Sequence, residues 1–227
     1  VTDSAQAMSY RESLQAQQET LSRKISRVAL DGQKLDVVWN LTLAANVISA
    51  NVPYGAIEKI AAMDGVKSVV EEQRYEPQAV SADGTQGTYE PQMGVAGEMT
   101  GAHQAWQNGY TGAGMRVAVI DTGLDTNHQS FDPDAQILVM KVFGANGGAY
   151  DSDIMAAMED ALVLGADAIN LSLGSSVAGR TESDEPAYVA LFERLVETDT
   201  VVAISAGNYG YWAENTAPGQ LYRDGIN

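Results

Sequence analysis

The sequence predicts an α/β protein in two parts: a small α+β segment, then a parallel β-sheet with helices on both faces. Three observations carry this reading. From residue 116 onward, apolar strand-length runs alternate with helix-length amphipathic runs. Parallel sheets produce this pattern because their strands are buried on both sides and joined by crossover helices. Before residue 76 the order is instead helix, two β-branched runs, short helix and a final run. Between the two, EPQAVSADGTQGTYEPQ (Glu76 to Gln92) has breakers and no periodicity, as an exposed connection does. The expected division is residues 1–77, a linker over 78–100, and 101–227.

The elements follow in order. Residues 4–28 are polar, with Met8, Leu14, Leu21 and Ile25 at helix-compatible spacing, and Asp31-Gly32 ends the run. Leu35 to Val52 turns β-branched and alternating, predicting two strands joined near Ala44 to Asn46. Ala56, Ile57, Ile60, Ala61 and Met63 recur at helical spacing before Asp64-Gly65, and Val66 to Glu72 reads as a last strand. In the second part, helices are expected at Ala102 to Asn108, Ser152 to Leu164 and Ala187 to Glu197. Strands are expected at Arg116 to Ile120, Gln136 to Phe143, Ala168 to Leu173 and Val201 to Ser205.

Composition excludes several functions. Thirty acidic against thirteen basic residues give a net charge of -17, which repels phosphate backbones and anionic lipid, so nucleic acid is not an expected partner. No apolar run approaches the roughly 20 residues of a membrane-spanning helix. The absence of cysteine rules out disulfides and thiol chemistry while leaving the compartment open.

Three segments could carry chemistry. Arg116-Val-Ala-Val-Ile-Asp121-Thr-Gly ends an apolar strand in a carboxylate, and ligand chemistry in parallel sheets gathers at the carboxyl ends of strands. A strand-end aspartate also often does no more than accept loop N–H groups. Gly112-Ala-Gly114 precedes that strand, whereas a dinucleotide fingerprint follows one, so a nucleotide site is not expected. Ala168-Ile-Asn-Leu-Ser172-Leu173-Gly174-Ser175 runs a strand into small residues that leave the backbone open to an added peptide strand. Val201-Val-Ala-Ile-Ser-Ala-Gly207-Asn208 ends a strand in an amide donor of the kind that stabilises an oxyanion, or in a plain turn.

V-A-V-I-D-T-G, I-N-L-S-L-G-S and V-A-I-S-A-G-N, in this order on successive strand–helix units, resemble the subtilisin-like serine proteases. Gly109-Tyr-Thr-Gly112, Asp125-Thr-Asn-His128 and Val139-Met-Lys-Val142 are similar to that family too, so the resemblance spans residues 98–227. Residues 1–77 resemble its inhibitory propeptide, a small ferredoxin-like α+β domain. The resemblance implies a serine endopeptidase zymogen acting on peptide or protein substrates. Asp121 is then the triad acid, Asn208 the oxyanion-hole donor, and Ser172, Leu173, Gly174 and Gly207 substrate-binding. It implies an intramolecular inhibitor whose tail, about Val69 to Gln78, adds a strand near Ser172 to Gly174. It also implies a maturation cut within 78–100 and a secreted or cell-surface bacterial setting.

The sequence departs from the family pattern. The triad His is expected roughly 30 residues beyond the Asp, in an H-G-T-H helix, and the Ser well beyond the oxyanion Asn in a G-T-S-M turn. Neither motif is present. His128 lies only seven residues after Asp121 and His103 precedes it, so neither is expected to be the base. Asp132 runs directly into Pro133, where the family has a long connection, and we expect that a stretch of the parent protein is missing there. The alternative reading is a catalytically inactive binding relative. No cofactor is required, and structural calcium, frequent in the family, is not assigned because Ser130 occupies the usual carboxylate position.

Overall fold

A computed structural model describes residues 4–77, 93–127, 134–145, 147–174 and 185–205. The first segment opens with α1 (Ala5–Val28), whose N-cap Ser4 accepts the Ala7 N–H. Its buried stripe is Leu14, Gln18 and Ile25, while Met8, expected on that stripe, is exposed. Gln18 takes the inner position because its side chain is needed there: Nε2 donates to Leu41 O (2.8 Å) and Asn46 Oδ1 (2.9 Å). Its donors are thereby satisfied, while its buried Oε1 meets no partner among the described residues.

Strands β1 (Asp36–Leu41) and β2 (Val47–Asn51) form an antiparallel pair with a bulge at Val38. A short 3-10 turn (Tyr54–Ala56) leads into α2 (Ile57–Ala61). Ile25, Leu35, Ile60 and Met63 close a small core against Val37, Ile48 and Ala50. The strand expected at Val66 to Glu72 does not form. Burial there recurs every three residues, at Val66, Val69 and Glu72, where a strand would bury every second. Two of those residues, Val66 and Val69, pack on the small core without a ladder partner. The chain pairs only afterwards, in β3 (Arg74–Tyr75).

Two further helices, α3 (Met93–Met99) and α4 (Ala102–Gln107), precede the main sheet. The sequence reading missed α3, which falls within the stretch expected to be linker. The sheet is built from β4 (Arg116–Asp121), β5 (Gln136–Lys141), β7 (Ala168–Leu171) and β8 (Val201–Ile204). Its order is β5-β4-β7-β8 and every pairing is parallel. A short strand, β6 (Ala149–Tyr150), lies outside it and pairs antiparallel with β3. The crossover helices α5 (Asp151–Val163) and α6 (Pro186–Leu195) join β6 to β7 and β7 to β8.

Alternation sorts the sheet into two unlike faces. Ala118, Ile120, Ile169 and Leu171 are fully or almost fully buried, in one cluster with Ile154 and Met158 of α5 and Leu191 and Leu195 of α6. Both crossovers step the same way across the sheet, and right-handed crossovers then place both helices on one side. The expected covering by helices is thus met on that face. The other face carries Val117, Val119, Ile137 and Asn170, all half-buried, with Val139 at 45% and Val201 at 65% exposure.

Candidate active site

Parallel pairing brings the carboxyl ends of β4, β7 and β8 side by side. Asp121 is the last residue of β4 and half-buried. Its Oδ1 accepts the N–H of the next residue, Thr122 (2.6 Å), which turns the carboxylate over the start of its own loop. Lys141 stands opposite Asp121 in the ladder and donates its ammonium to Thr122 O (2.7 Å). One carboxylate and one cation thus hold the loop, and the other carboxylate oxygen remains for a further donor.

On β7, Ser172 is exposed, Gly174 half-buried and Leu173 buried, its side chain in the core. Asn170 Nδ2 donates to Ser172 Oγ (3.0 Å), steadying the strand end. The end of β8 is tied to the same place: Ser205 N–H donates to Leu171 O (3.1 Å) and Ser205 Oγ–H to Leu173 O (2.7 Å). The structure therefore brings Asp121, Ser172 and Gly174 to the carboxyl end of the sheet, on its two interior strands. Gly207 and Asn208 lie outside the described residues, as do His128 and the Asp132–Pro133 junction. His103 stacks at a tilt on Trp106, 5.2 Å between centroids, and fills the space beside Gly97. That places it in the α3–α4 pair. Among the described residues, no group of three or more His, Cys, Asp and Glu is arranged to hold a metal ion.

A second set of contacts docks residues 36–76 on the start of α5. Asp153 takes two donors there, the Tyr150 N–H (2.9 Å) and the Trp39 indole N–H (2.8 Å). Glu72 accepts the Ser152 N–H (2.9 Å) and the Ser49 hydroxyl (3.1 Å), so a carboxylate from the first segment satisfies a helix-start donor of the second. One turn from the other end of α5, buried Glu159 accepts four successive backbone N–H groups, from Thr42, Leu43, Ala44 and Ala45, at 2.7–3.4 Å.

The tail of this segment pairs at β6, through Arg74↔Tyr150 and Tyr75↔Ala149. This corrects the expected edge near Ser172 to Gly174 for residues 74 and 75. The reason is local: Gly148, at φ +78°, has no side chain, and the Arg74 guanidinium fills the space a Cβ would need. Tyr75 is 3% exposed and belongs to the core of the second segment. Its hydroxyl donates to Asp151 Oδ1 (3.0 Å), while Asp151 Oδ2 accepts the Gln73 N–H (2.5 Å). Burial first, then the Asp151 carboxylate, pushes the Tyr75 phenol well above its ordinary range, and burial does the same to Tyr188. Sequence reasoning missed Tyr75, Asp151 and Glu159. Their partners lie 76 to 117 residues away, and no local pattern marks them. A groove of about 310 Å³ between α1, the 43–46 turn and α6 has no lining residue at the strand ends.

Residues 131–223 match the family model described as the subtilase family. The chain is similar to the minor extracellular protease Vpr of Bacillus subtilis, with 27% identity over 216 residues, 71% of this chain and 26% of that protein. It is also similar to the human membrane-bound transcription factor site-1 protease, with 29% identity over 143 residues, 46% of this chain and 13% of that one. The chain thus spans about a quarter or less of these relatives. In fold it is similar to the epidermin leader peptide processing serine protease of Staphylococcus aureus, at TM-score 0.63 and 15% identity, covering 92% of this chain and 64% of that one.

Proposed function

The kinship of this chain is with the subtilase family, and from it we propose that the chain is part of a serine endopeptidase zymogen. The enzyme hydrolyses peptide bonds through an acyl-enzyme, with residues 1–77 as its inhibitor and the maturation cut in 78–100. Asp121 orients the catalytic imidazole and stabilises its charged form. Ser172, Leu173, Gly174 and Gly207 receive the substrate backbone, and Asn208 donates to the oxyanion. The imidazole and the nucleophilic serine come from parts of the parent protein outside this sequence.

The observation that carries the reading is the adjacency of the β4, β7 and β8 ends, with Asp121 on the first and Ser172 to Gly174 on the second. The inhibitor role is supported by β3, which joins β6 as an added antiparallel strand, a usual way for a sheet edge to hold a peptide. That the parent protein carries residues absent here is supported by the alignment to the Bacillus protease, while their place at Asp132–Pro133 rests on the sequence pattern. The alignment runs over 216 residues but takes in only 71% of this 227-residue chain, so the relative carries residues with no counterpart here. The half-open sheet face is consistent with this, because the β4–β5 connection steps the opposite way across the sheet from the two helical crossovers. Secretion, or display at a bacterial cell surface, follows the extracellular relative.

A fluorophosphonate probe on the parent protein tests the activity. Labelling that disappears when the downstream serine is replaced supports the enzyme. A mature protein that takes no label is instead an inactive binding relative.

A further inference from the structure

Lys141 ends β5, an edge strand of the main sheet, where a lysine ordinarily reaches into water and guards the edge against further pairing. This one reaches across to the neighbouring strand instead. It stands opposite Asp121 in the ladder, so the two side chains leave the same face of the sheet. That face is the half-open one, since Leu138, Met140, Ala118 and Ile120 take the core side. The ammonium donates to Thr122 O (2.7 Å), the carbonyl of the residue that follows Asp121.

Thr122 is thereby gripped on both sides, its N–H by Asp121 Oδ1 (2.6 Å) and its carbonyl by the lysine. The β4–β5 ladder does not supply the second grip. Its last bond runs from the Val142 N–H to Asp121 O (3.1 Å), one residue short. Beyond Thr122 comes Gly123 at φ +133°, a conformation that adds no steric stiffness to the loop. The Lys141 stem passes this glycine, with Cδ 3.9 Å from where a Cβ would stand. Take the lysine away and the carboxylate is bonded to a loop that moves, so it moves with it.

We propose that Lys141 is a positioning residue for the reaction: it fixes Thr122, and through the Thr122 N–H it fixes the rotamer of the Asp121 carboxylate. The proposal rests on the reading above that Asp121 orients the catalytic imidazole. Lys141 acts on rate through that orientation alone, because a carboxylate displaced by about 1 Å no longer meets the imidazole N–H in productive geometry. Substrate binding is spared. Ser172 to Gly174 follow β7, which lies on the other side of β4 from β5.

The test uses the parent enzyme. Lys141→Met keeps a stem of similar length and removes the donor, whereas Lys141→Arg keeps a cationic donor. The methionine variant is expected to lose about 10- to 100-fold in kcat, the scale of one charge-assisted hydrogen bond, with KM within about twofold of native. Arginine is expected to recover most of that loss. In an Asp121→Asn background the methionine change is expected to cost less than about twofold, since a residue acting through Asp121 then has nothing to act on. The thermal melt of this chain is expected to stay within about 2 °C of native with Lys141→Met, as for an exposed bond. Native kcat in the methionine variant, a loss confined to KM, additive losses in the double variant, or a melt that falls in step with kcat each overturn the role. Fluorophosphonate labelling of the native parent protein separates this failure from that of the underlying reading. A native protein that takes no label overturns both, whereas native labelling with any of the four outcomes above overturns the lysine's role alone.

Discussion

The Glu159 carboxylate lies 2.7 Å from the Ala44 amide nitrogen, across 115 residues of sequence, and its Oε1 also takes the Leu43 and Ala45 N–H groups. Three consecutive donors converge on one oxygen because the turn between β1 and β2 curls its backbone amides inward. The turn is braced from its other side by Gln18, which donates to Leu41 O and Asn46 Oδ1. A carboxylate on α5 thus completes a structure that the first segment prepares.

Glu159→Ala is expected to loosen the docking by about 2–4 kcal/mol, since it leaves buried amides without an acceptor and removes charge-assisted bonds. Glu159→Gln is expected to do less harm, because Oε1 can keep its three donors while the new amide faces Thr42 N–H. Release of the N-terminal piece from a chain cut once at an engineered site within residues 81–90, followed by gel filtration, ranks the variants. Retention as tight in the alanine variant as in the native chain would show that the turn is satisfied by water.

Raised phenol pKa values give the docking a ceiling in pH. Tyr75 and Tyr188 are both held neutral by burial, above the value of about 10 for a free tyrosine. A neutral-favouring site contributes fully below that value. As pH rises above 10, the undocked or unfolded phenols ionise while the docked ones resist, so stability falls by up to about 1.4 kcal/mol per pH unit for each group. Denaturation midpoints from pH 8 to 11.5 are expected to drop steeply above pH 10. The double variant Tyr75→Phe, Tyr188→Phe is expected to flatten that drop. A slope identical in both proteins would assign it to other groups.

The two sheet faces differ in what substitutions cost. Leu171, fully buried among α5 and α6 residues, is expected to lose about 2–5 kcal/mol on Leu171→Ala. Val139→Thr and Val201→Thr, on the half-open face, are expected to stay within about 0.5 kcal/mol, as exposed positions do. Urea unfolding of the chain compares them. Equal losses on both faces would mean that the open face is covered in solution.

The parts of this fold that were legible in the sequence are those whose signal is local. Arg116 to Asp121, Ala168 to Leu171 and Val201 to Ile204 read as strands because a buried parallel strand must be apolar at almost every position. The position of Asp121 followed from where its strand ends. By contrast, β3 and β6 are two residues each, and only the distant pairing of Arg74 with Tyr150 and Tyr75 with Ala149 makes them strands. The failed strand at Val66 to Glu72 shows the same limit from the other side. Its β-branched composition predicts a ladder, but among the described residues it pairs with no strand, and Val66 and Val69 serve the core at threefold spacing. Glu159, Asp151 and Tyr75 carry no local sign of burial, because their partners lie in the other segment.

Asp121→Asn separates the catalytic reading from a structural one. Its visible bond, from Thr122 N–H to Oδ1, survives in an asparagine, and the neighbouring loop is also held by Lys141 on Thr122 O. Stability is therefore expected to change by no more than about 0.5 kcal/mol. In the parent protein, if Asp121 orients the imidazole, the amide presents a donor where an acceptor is needed and selects the wrong tautomer, costing about 10⁴-fold in kcat, as in other triads. Thermal melts of this chain and turnover of the parent enzyme measure the two quantities. A melt lowered in step with activity would make Asp121 a loop anchor, whereas an unchanged melt with activity near native would remove it from the triad.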